Sequence, residues 1–281
     1  MSKCSYCGQE AGFLQGKHKA CEERHSQGLG RVLELAKSGI KNGAELETLH
    51  ESTRSVSGAT FVTEGERIDS LVQAFDDAVT QALEDGLLTS QEEQGLIEYG
   101  KRLSLSQDDL DKRGGYTKLI QGGVLRELAE GRIPERVALK GELPFNLQKG
   151  EKIAWLFNDV KYHEVRTRTH FEGRSSGVSV RVARGLYYRT GTFKGHPVKT
   201  EETVLVGKGV MLITSKNIYF GSSAKSLRIP YGKIVAFTPY SDGVGIQRDA
   251  LSAKPQLFIN GAGWFTYNLL MNLSQSQGGA A

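Results

Sequence analysis

Beyond Pro144 the apolar residues of this 281-residue chain change their spacing, from every third or fourth position to every second. A period of two places alternate side chains on opposite faces of an extended strand, so this half must be built mainly of β-structure. Lys152–Phe157, Val160–Phe171, Val178–Val182 and Gly185–Phe193 read as strands, separated by glycine or charged turns. Val204–Val206, Val210–Ser215, Ile218–Gly221, Ser226–Pro230, Ile234–Tyr240, Val244–Arg248 and Gln256–Ile259 continue the series. Gly263–Leu273 then returns to helical spacing, with Trp264, Phe265, Leu269, Leu270 and Leu273 on one face. An antiparallel barrel or sandwich leaves an open end or edge. A terminal helix can plug it and bury its Trp and Phe there. This β domain is expected over 143–275, with a disordered tail at 276–281.

The half before Pro144 is helical. Arg31 onward clusters Val32, Leu33, Leu35 and Ala36, with Gly39 and Gly43 as punctuation. Ala44–Thr53 is a short helix candidate and Ser55–Ala59 a loop. Glu64–Asp85 gives the clearest helix, its apolar stripe running from Ile68 to Leu83. Thr63 and Glu66 have the spacing of a capping box, and Gly86 stands where a C-terminal cap belongs. Further helices are expected from Thr89 or Ser90, over Ser106–Asp111 and over Tyr116–Leu128. Counting an EF-hand loop from Asp85 puts Leu87 and Thr89 at positions that need acidic ligands, which argues against calcium. The expected organisation is therefore α+β and multidomain: a metal-binding module at 1–27, a helical region at 28–142, and the β domain.

Three segments of the β half carry a family likeness: Gly209–Gly221 (GVMLITSKNIYFG), Ser226–Val235 (SLRIPYGKIV) and Tyr240–Ile246 (YSDGVGI). They resemble the PH-like superfold, and the GRAM and bacterial PH-like families in particular, over 70–80 residues. That resemblance implies a compact antiparallel body that binds a protein or a membrane surface. It says more about fold than about ligand.

All three cysteines fall in the first 21 residues. Cys4-x-x-Cys7-Gly8 followed by His18-x-x-Cys21 makes C-x2-C-x10-H-x2-C, a Cys3His set suited to tetrahedral structural zinc. It is similar to a half zinc ribbon or treble-clef finger. His25, four residues beyond Cys21, is a rival to His18 as fourth ligand. Three buried free thiols, or a redox Cys4/Cys7 pair, are the alternatives to a metal. Phe13 and Leu14 are too few to build a core in so short a module, so the metal is expected to supply most of its folding free energy.

Charge is divided unevenly. Residues 144–281 carry 18 Lys+Arg against 8 Asp+Glu, about +10, and residues 1–143 carry 18 against 24, about −6. A basic half points to an anionic partner. Arg166, Arg168, Arg174, Arg181, Arg184, Arg189 and Lys194 interleave with aromatic residues and are the candidate anion- or lipid-binding set. No phosphate loop, nucleophile elbow, H-E-x-x-H or dinucleotide fingerprint occurs, and the expectation is a non-enzymatic adaptor. Its partner would be a protein or anionic lipid headgroups, in a setting such as bacterial stress response or phage defence. Nucleic-acid binding through the finger and basic sheet is the alternative. With no long apolar run and no signal-peptide core, a cytoplasmic location with peripheral membrane contact is expected.

Overall fold

The computed structural model describes residues 2–12, 16–84, 86, 88–137, 143–171, 181–183, 186–187, 197–250 and 253–278. Within these, side chains are described except at Ala44 and over 166–200 and 277–278. The chain is α+β and divides into two compact units, Met1–Arg126 and Glu127–Ala281.

The first unit is helical. It contains α1 (Lys19–Lys41), a 3-10 turn (Gly43–Glu45), α2 (Leu46–Thr60), α3 (Glu64–Ala82), α4 (Ser90–Arg102), the short α5 (Gln107–Leu110) and most of α6 (Gly115–Ala129). Three of these starts are specified locally. Thr63, Thr89 and Ser106 each accept a hydrogen bond from the N3 backbone N–H, and Glu66, Glu92 and Asp109 each reach back to the cap residue's own N–H. The helices pack Leu49, Leu71, Phe75, Val79, Leu96, Tyr99 and Leu119 into one core. Removing each such side chain from water contributes about 1.5–3 kcal/mol.

Two local readings need correction. Ser55–Ala59 is not a loop but the last turns of α2, because Thr53 and Ser57 donate their hydroxyls to the carbonyls of Leu49 and Thr53 on the same helix. Both hydroxyl residues are buried, and Thr53 also accepts a bond from the buried Arg67 guanidinium. Gly39 does not stop α1. A Cβ placed there would lie 2.7 Å from Leu49, so this glycine lets α1 and α2 approach closely. The helix also starts twelve residues earlier than its apolar cluster suggested and runs unbroken through residue 27, joining the cysteine-rich segment to the helical one.

The second unit holds a seven-stranded antiparallel sheet in the order β6-β5-β4-β1-β9-β8-β7. The strands are β1 (Ile153–Phe171), β4 (Pro197–Thr214), β5 (Asn217–Ser222), β6 (Ser226–Pro230), β7 (Ile234–Tyr240), β8 (Gly243–Arg248) and β9 (Gln256–Ile259). β2 (Arg181–Ala183) and β3 (Leu186–Tyr187) form a separate two-stranded pair. The remainder of the strands expected over 178–193 lies outside the described residues. β1 and β4 are each one long strand rather than two. β1 absorbs its break in a bulge, where Asp159 takes φ +60° and the register shifts between Phe157 and Val160. β4 passes through Gly207 and Gly209 without stopping, because a Cβ at Gly209 would lie 1.9 Å from the Gly221 carbonyl oxygen.

One face of the sheet contributes Val160, Tyr162, Met211, Ile213, Phe220, Val244, Ile246 and Phe258 to the core, while β4, β5 and β8 also bury consecutive residues, Leu212 and Tyr219 among them. The Tyr162 ring stands 5.1 Å from Phe220 and 5.0 Å from Phe258. After β9 comes α7 (Gly263–Gly278), packed against β7, β8 and the 3-10 turn Tyr231–Lys233. It buries Phe265, Leu269, Leu270 and Leu273, with the Phe265 ring edge-on to Trp155 at 4.9 Å. Trp264, expected to be buried with Phe265, is instead 53% exposed, since neighbours on a helix point about 100° apart. The helix also continues to Gly278, so residues 276–278 are helical and not tail.

Candidate metal centre

The N-terminal segment folds back on itself through one antiparallel bridge between Lys3 and Glu10. The Cys4 N–H donates to the Gln9 carbonyl at 2.7 Å, and the Gly8 N–H returns to the Cys4 carbonyl at 2.9 Å. Gly8 takes φ +72°, a left-handed conformation that glycine adopts without strain, and this closes the knuckle holding Cys4 and Cys7. The other two donors belong to α1. His18 is its N-cap residue, and Cys21 lies in the first turn, its N–H on the His18 carbonyl at 3.1 Å. Spacing of i and i+3 places both on one face.

These elements gather the Cys4, Cys7 and Cys21 sulfurs and a His18 ring nitrogen, all within 4.8 Å of one another. The His18 Nδ1 is 3.3 Å from the Cys7 sulfur and 3.7 Å from the Cys21 sulfur. Tetrahedral zinc with bonds of about 2.3 Å to sulfur and 2.0–2.1 Å to nitrogen needs S···N separations of about 3.5 Å. On the far side of the ring, Nε2 lies 2.9 Å from the Glu10 carbonyl oxygen. A carbonyl only accepts, so the proton sits on Nε2 and the Nδ1 lone pair faces the sulfurs. The site thus fits a metal ion, with its imidazole ligand already in the required tautomer. No disulfide competes, since all three cysteines are free.

Electrostatics separates Cys4 from Cys21. The backbone N–H of Cys7 does most to hold the Cys4 thiol down, at about 6, and the His18 N–H adds to it from 3.4 Å. Burial pushes the Cys21 thiol up to about 11, and the neighbouring cysteines push in the same direction. His18 is raised, first by its hydrogen bond to Glu10 and then by Cys7. A cation bound among the three sulfurs would stabilise their thiolate forms against one another.

His25 is not brought to this cluster. One turn further along α1, it faces α3: its Nε2 is 3.1 Å from Glu66 Oε2, and its Nδ1 is 3.5 Å from the Tyr6 hydroxyl. The Tyr6 ring, in the loop between Cys4 and Cys7, stacks tilted on His25 with centroids 4.8 Å apart. The role of Glu10 was not legible from the sequence because it acts through its backbone carbonyl. Tyr6 gave no signal either, as one aromatic residue between two ligands. Phe13 and Leu14 lie outside the described residues, while Cys4 and Ala11 are buried.

Of the candidate basic set, Arg166 and Arg168 fall in β1 and Arg181 in β2. The register pairs Arg166 with Glu202 and Arg168 with Thr200 on β4. Arg174, Arg184, Arg189 and Lys194 lie outside the described residues, as do the side chains of the other three. No helix is long and apolar enough to cross a membrane among the described residues. Comparison with family models, curated proteins and solved structures returns no match.

Proposed function

We propose that this chain is a non-enzymatic binding or adaptor protein, with a structural zinc ion in its helical unit and a PH-like body that engages a protein partner or an anionic membrane surface. The observation that carries this reading is the order β6-β5-β4-β1-β9-β8-β7 with α7 following the last strand. Two antiparallel meanders, β1-β4-β5-β6 and β7-β8-β9, joined by the pairing of β1 with β9 and finished by one packed helix, are the arrangement expected of a PH-like domain. The three segments that carry the family likeness occupy the β4–β5 hairpin, β6 with the start of β7, and the β7–β8 hairpin.

Zinc is the ion favoured at the N-terminal centre, because three thiolates and one imidazole are soft, tetrahedral ligands. Cys4, Cys7, His18 and Cys21 would hold it. Four protein ligands leave no open position for a reacting water, so its contribution is to hold the knuckle on α1. The charge of the second half, about +10 over residues 144–281, supports an anionic partner.

Flotation with neutral and anionic vesicles, using wild type and a variant with Arg166, Arg168, Arg181 and Arg184 replaced by Gln, tests the membrane branch. Flotation only with anionic vesicles, lost in the variant, is the expected result for a membrane partner. If neither protein floats, the protein-partner branch alone stands. Binding to DNA or RNA that weakens steeply with salt and is lost in the variant would replace both with a nucleic-acid role. Zinc content of the purified chain tests the metal separately, and a metal-free chain with all four ligands intact would remove that part.

A further inference from the structure

Beyond the aromatic core, the inner face of the sheet ends in polar residues. Glu164 follows Tyr162 by two positions on β1, and Gln256 on β9 pairs with Glu164 on one side and with Ile246 of β8 on the other. Arg248 follows Ile246 by two, so these polar residues share the face that carries Tyr162 and Phe258. With Tyr162 they line a cavity of about 280 Å³, whose apolar wall is Ala250, Ala253 and Pro255. That is room for about nine waters, or for one small molecule of the same bulk.

The hydrogen bonds in this cavity run in one direction. Burial pushes the Tyr162 hydroxyl up, so it keeps its proton at neutral pH. It donates that proton to Glu164 Oε1 at 2.9 Å and accepts from the Gln256 amide at 2.7 Å. Only the amide nitrogen can donate there, which fixes Gln256 with Nε2 on Tyr162. Gln256 is 8% exposed, and its Oε1 is left with no hydrogen-bond partner among the described residues. A buried acceptor in that state calls for a donor.

Charge is left over in the same place. Glu164 pairs with Lys225 at 3.3 Å, and Lys254 with Glu201 at 3.1 Å. Arg248 is half-buried, and its guanidinium has no ion pair among the described residues. It stands diagonally across from Gln256, a spacing of about 7–8 Å that long side chains bridge.

We propose that this cavity binds a small monocarboxylate with a hydroxyl beside its carboxylate, the carboxylate held by Arg248 and the hydroxyl hydrogen by Gln256 Oε1. A guanidinium offers a carboxylate two parallel N–H groups. A dianionic phosphate exceeds the one unmatched charge and is repelled by Glu164, while an uncharged alcohol leaves Arg248 unpaired. The apolar wall takes the body of the ligand. Such a site goes beyond the adaptor reading and stands without it.

Phenyllactate and 3-phenylpropionate differ only in that hydroxyl, and titrating each into the isotope-labelled, metal-replete full chain by two-dimensional NMR tests the site. Phenyllactate is expected to bind with a dissociation constant of about 1 mM or below, shifting the amides around Arg248 and Gln256. The acid without the hydroxyl should bind about 10-fold more weakly. Arg248→Gln should weaken phenyllactate about 10-fold or more, and inorganic phosphate at about 10 mM should not displace it. The amide spectrum itself checks that the variant is folded, and the comparison of the two acids on wild type needs no variant. No binding of phenyllactate up to about 10 mM, equal binding of the two acids, displacement by phosphate, or wild-type affinity in folded Arg248→Gln would each overturn the proposal.

Discussion

The His25 imidazole and the Glu66 carboxylate meet at 3.1 Å, tying α1 to the capping box of α3. Glu66 accepts at the same time from the Thr63 N–H at 2.9 Å and the Thr63 hydroxyl at 2.7 Å. A potential metal ligand is thereby spent on joining two helices.

That relationship sets a pH dependence. The Thr63 backbone N–H, then His25 and the Thr63 hydroxyl, bring Glu66 from 4.5 down to about 2. A carboxylate lowered on folding stabilises the native state above its unfolded value, and that stabilisation is lost as pH falls from about 4.5 towards 2. The side chain is 39% exposed, so solvent screening keeps the effect to about 1 kcal/mol. Urea unfolding at pH 7 should show Glu66→Gln less stable than wild type by that amount, with the gap closing near pH 2. A gap unchanged by pH would assign the loss to packing instead.

The two histidines should separate cleanly in metal retention. His18→Ala removes a ligand, and bound metal after dialysis against a weak chelator should fall well below wild type. His25→Ala should keep its metal and lose only about 1 kcal/mol of stability with its hydrogen bond. Elemental analysis and thermal melts on both variants check this pair. Equal metal loss in the two would return His25 to the ligand set.

Gly209 tests the continuity of β4. Gly209→Ala drives a methyl against the Gly221 carbonyl, whereas Gly232→Ala meets nothing within 4 Å. The first should cost about 3 kcal/mol or more and the second less than about 0.5 kcal/mol. Denaturant midpoints of the two variants, measured side by side, make the comparison.

Glu151 anchors the β4–β5 turn. It accepts from Thr214, from Asn217 at 2.8 Å and from the Tyr219 hydroxyl at 2.9 Å. Burial alone would raise its carboxyl, but the bonds from Thr214, Asn217, Gln148 and Tyr219 bring it below the usual carboxylate range. Glu151→Ala strands four donors, the Gln148 N–H included, and should cost about 2–4 kcal/mol in chemical denaturation. A loss under about 0.5 kcal/mol would mean water replaces the carboxylate readily.

Legibility followed the range of the interactions. The capping boxes at Thr63 and Thr89 and the strands Ser226–Pro230, Ile234–Tyr240 and Gln256–Ile259 could be read because each is decided by its own few residues. The breaks assigned near Asp159 and Gly207–Gly209 were misread because a bulge and a close backbone approach depend on the partner strand. Gly39 failed for the same reason, its meaning set by Leu49 on another helix. At the metal centre, spacing identified the three cysteines and left His18 and His25 open. What divides the histidines is the fold of residues 3–10, which offers the Glu10 carbonyl to one, and the position of Glu66, 41 residues away from the other. The exposure of Trp264 was hidden because a spacing of three and four does not fix where an apolar stripe ends.

The pairing of β1 with β9 sets an order of events in the ribosome's time. Lys161 finds its partner at Ile259, so the sheet's two wings, β4–β6 and β7–β9, stay separate until nearly a hundred further residues have been made. The helices α1 to α5 are joined mostly by contacts between neighbours in the chain and can settle while synthesis continues. The aromatic interior around Tyr162 and Phe258 must meanwhile wait uncovered, and this is the stage at which the nascent chain most needs protection from aggregation.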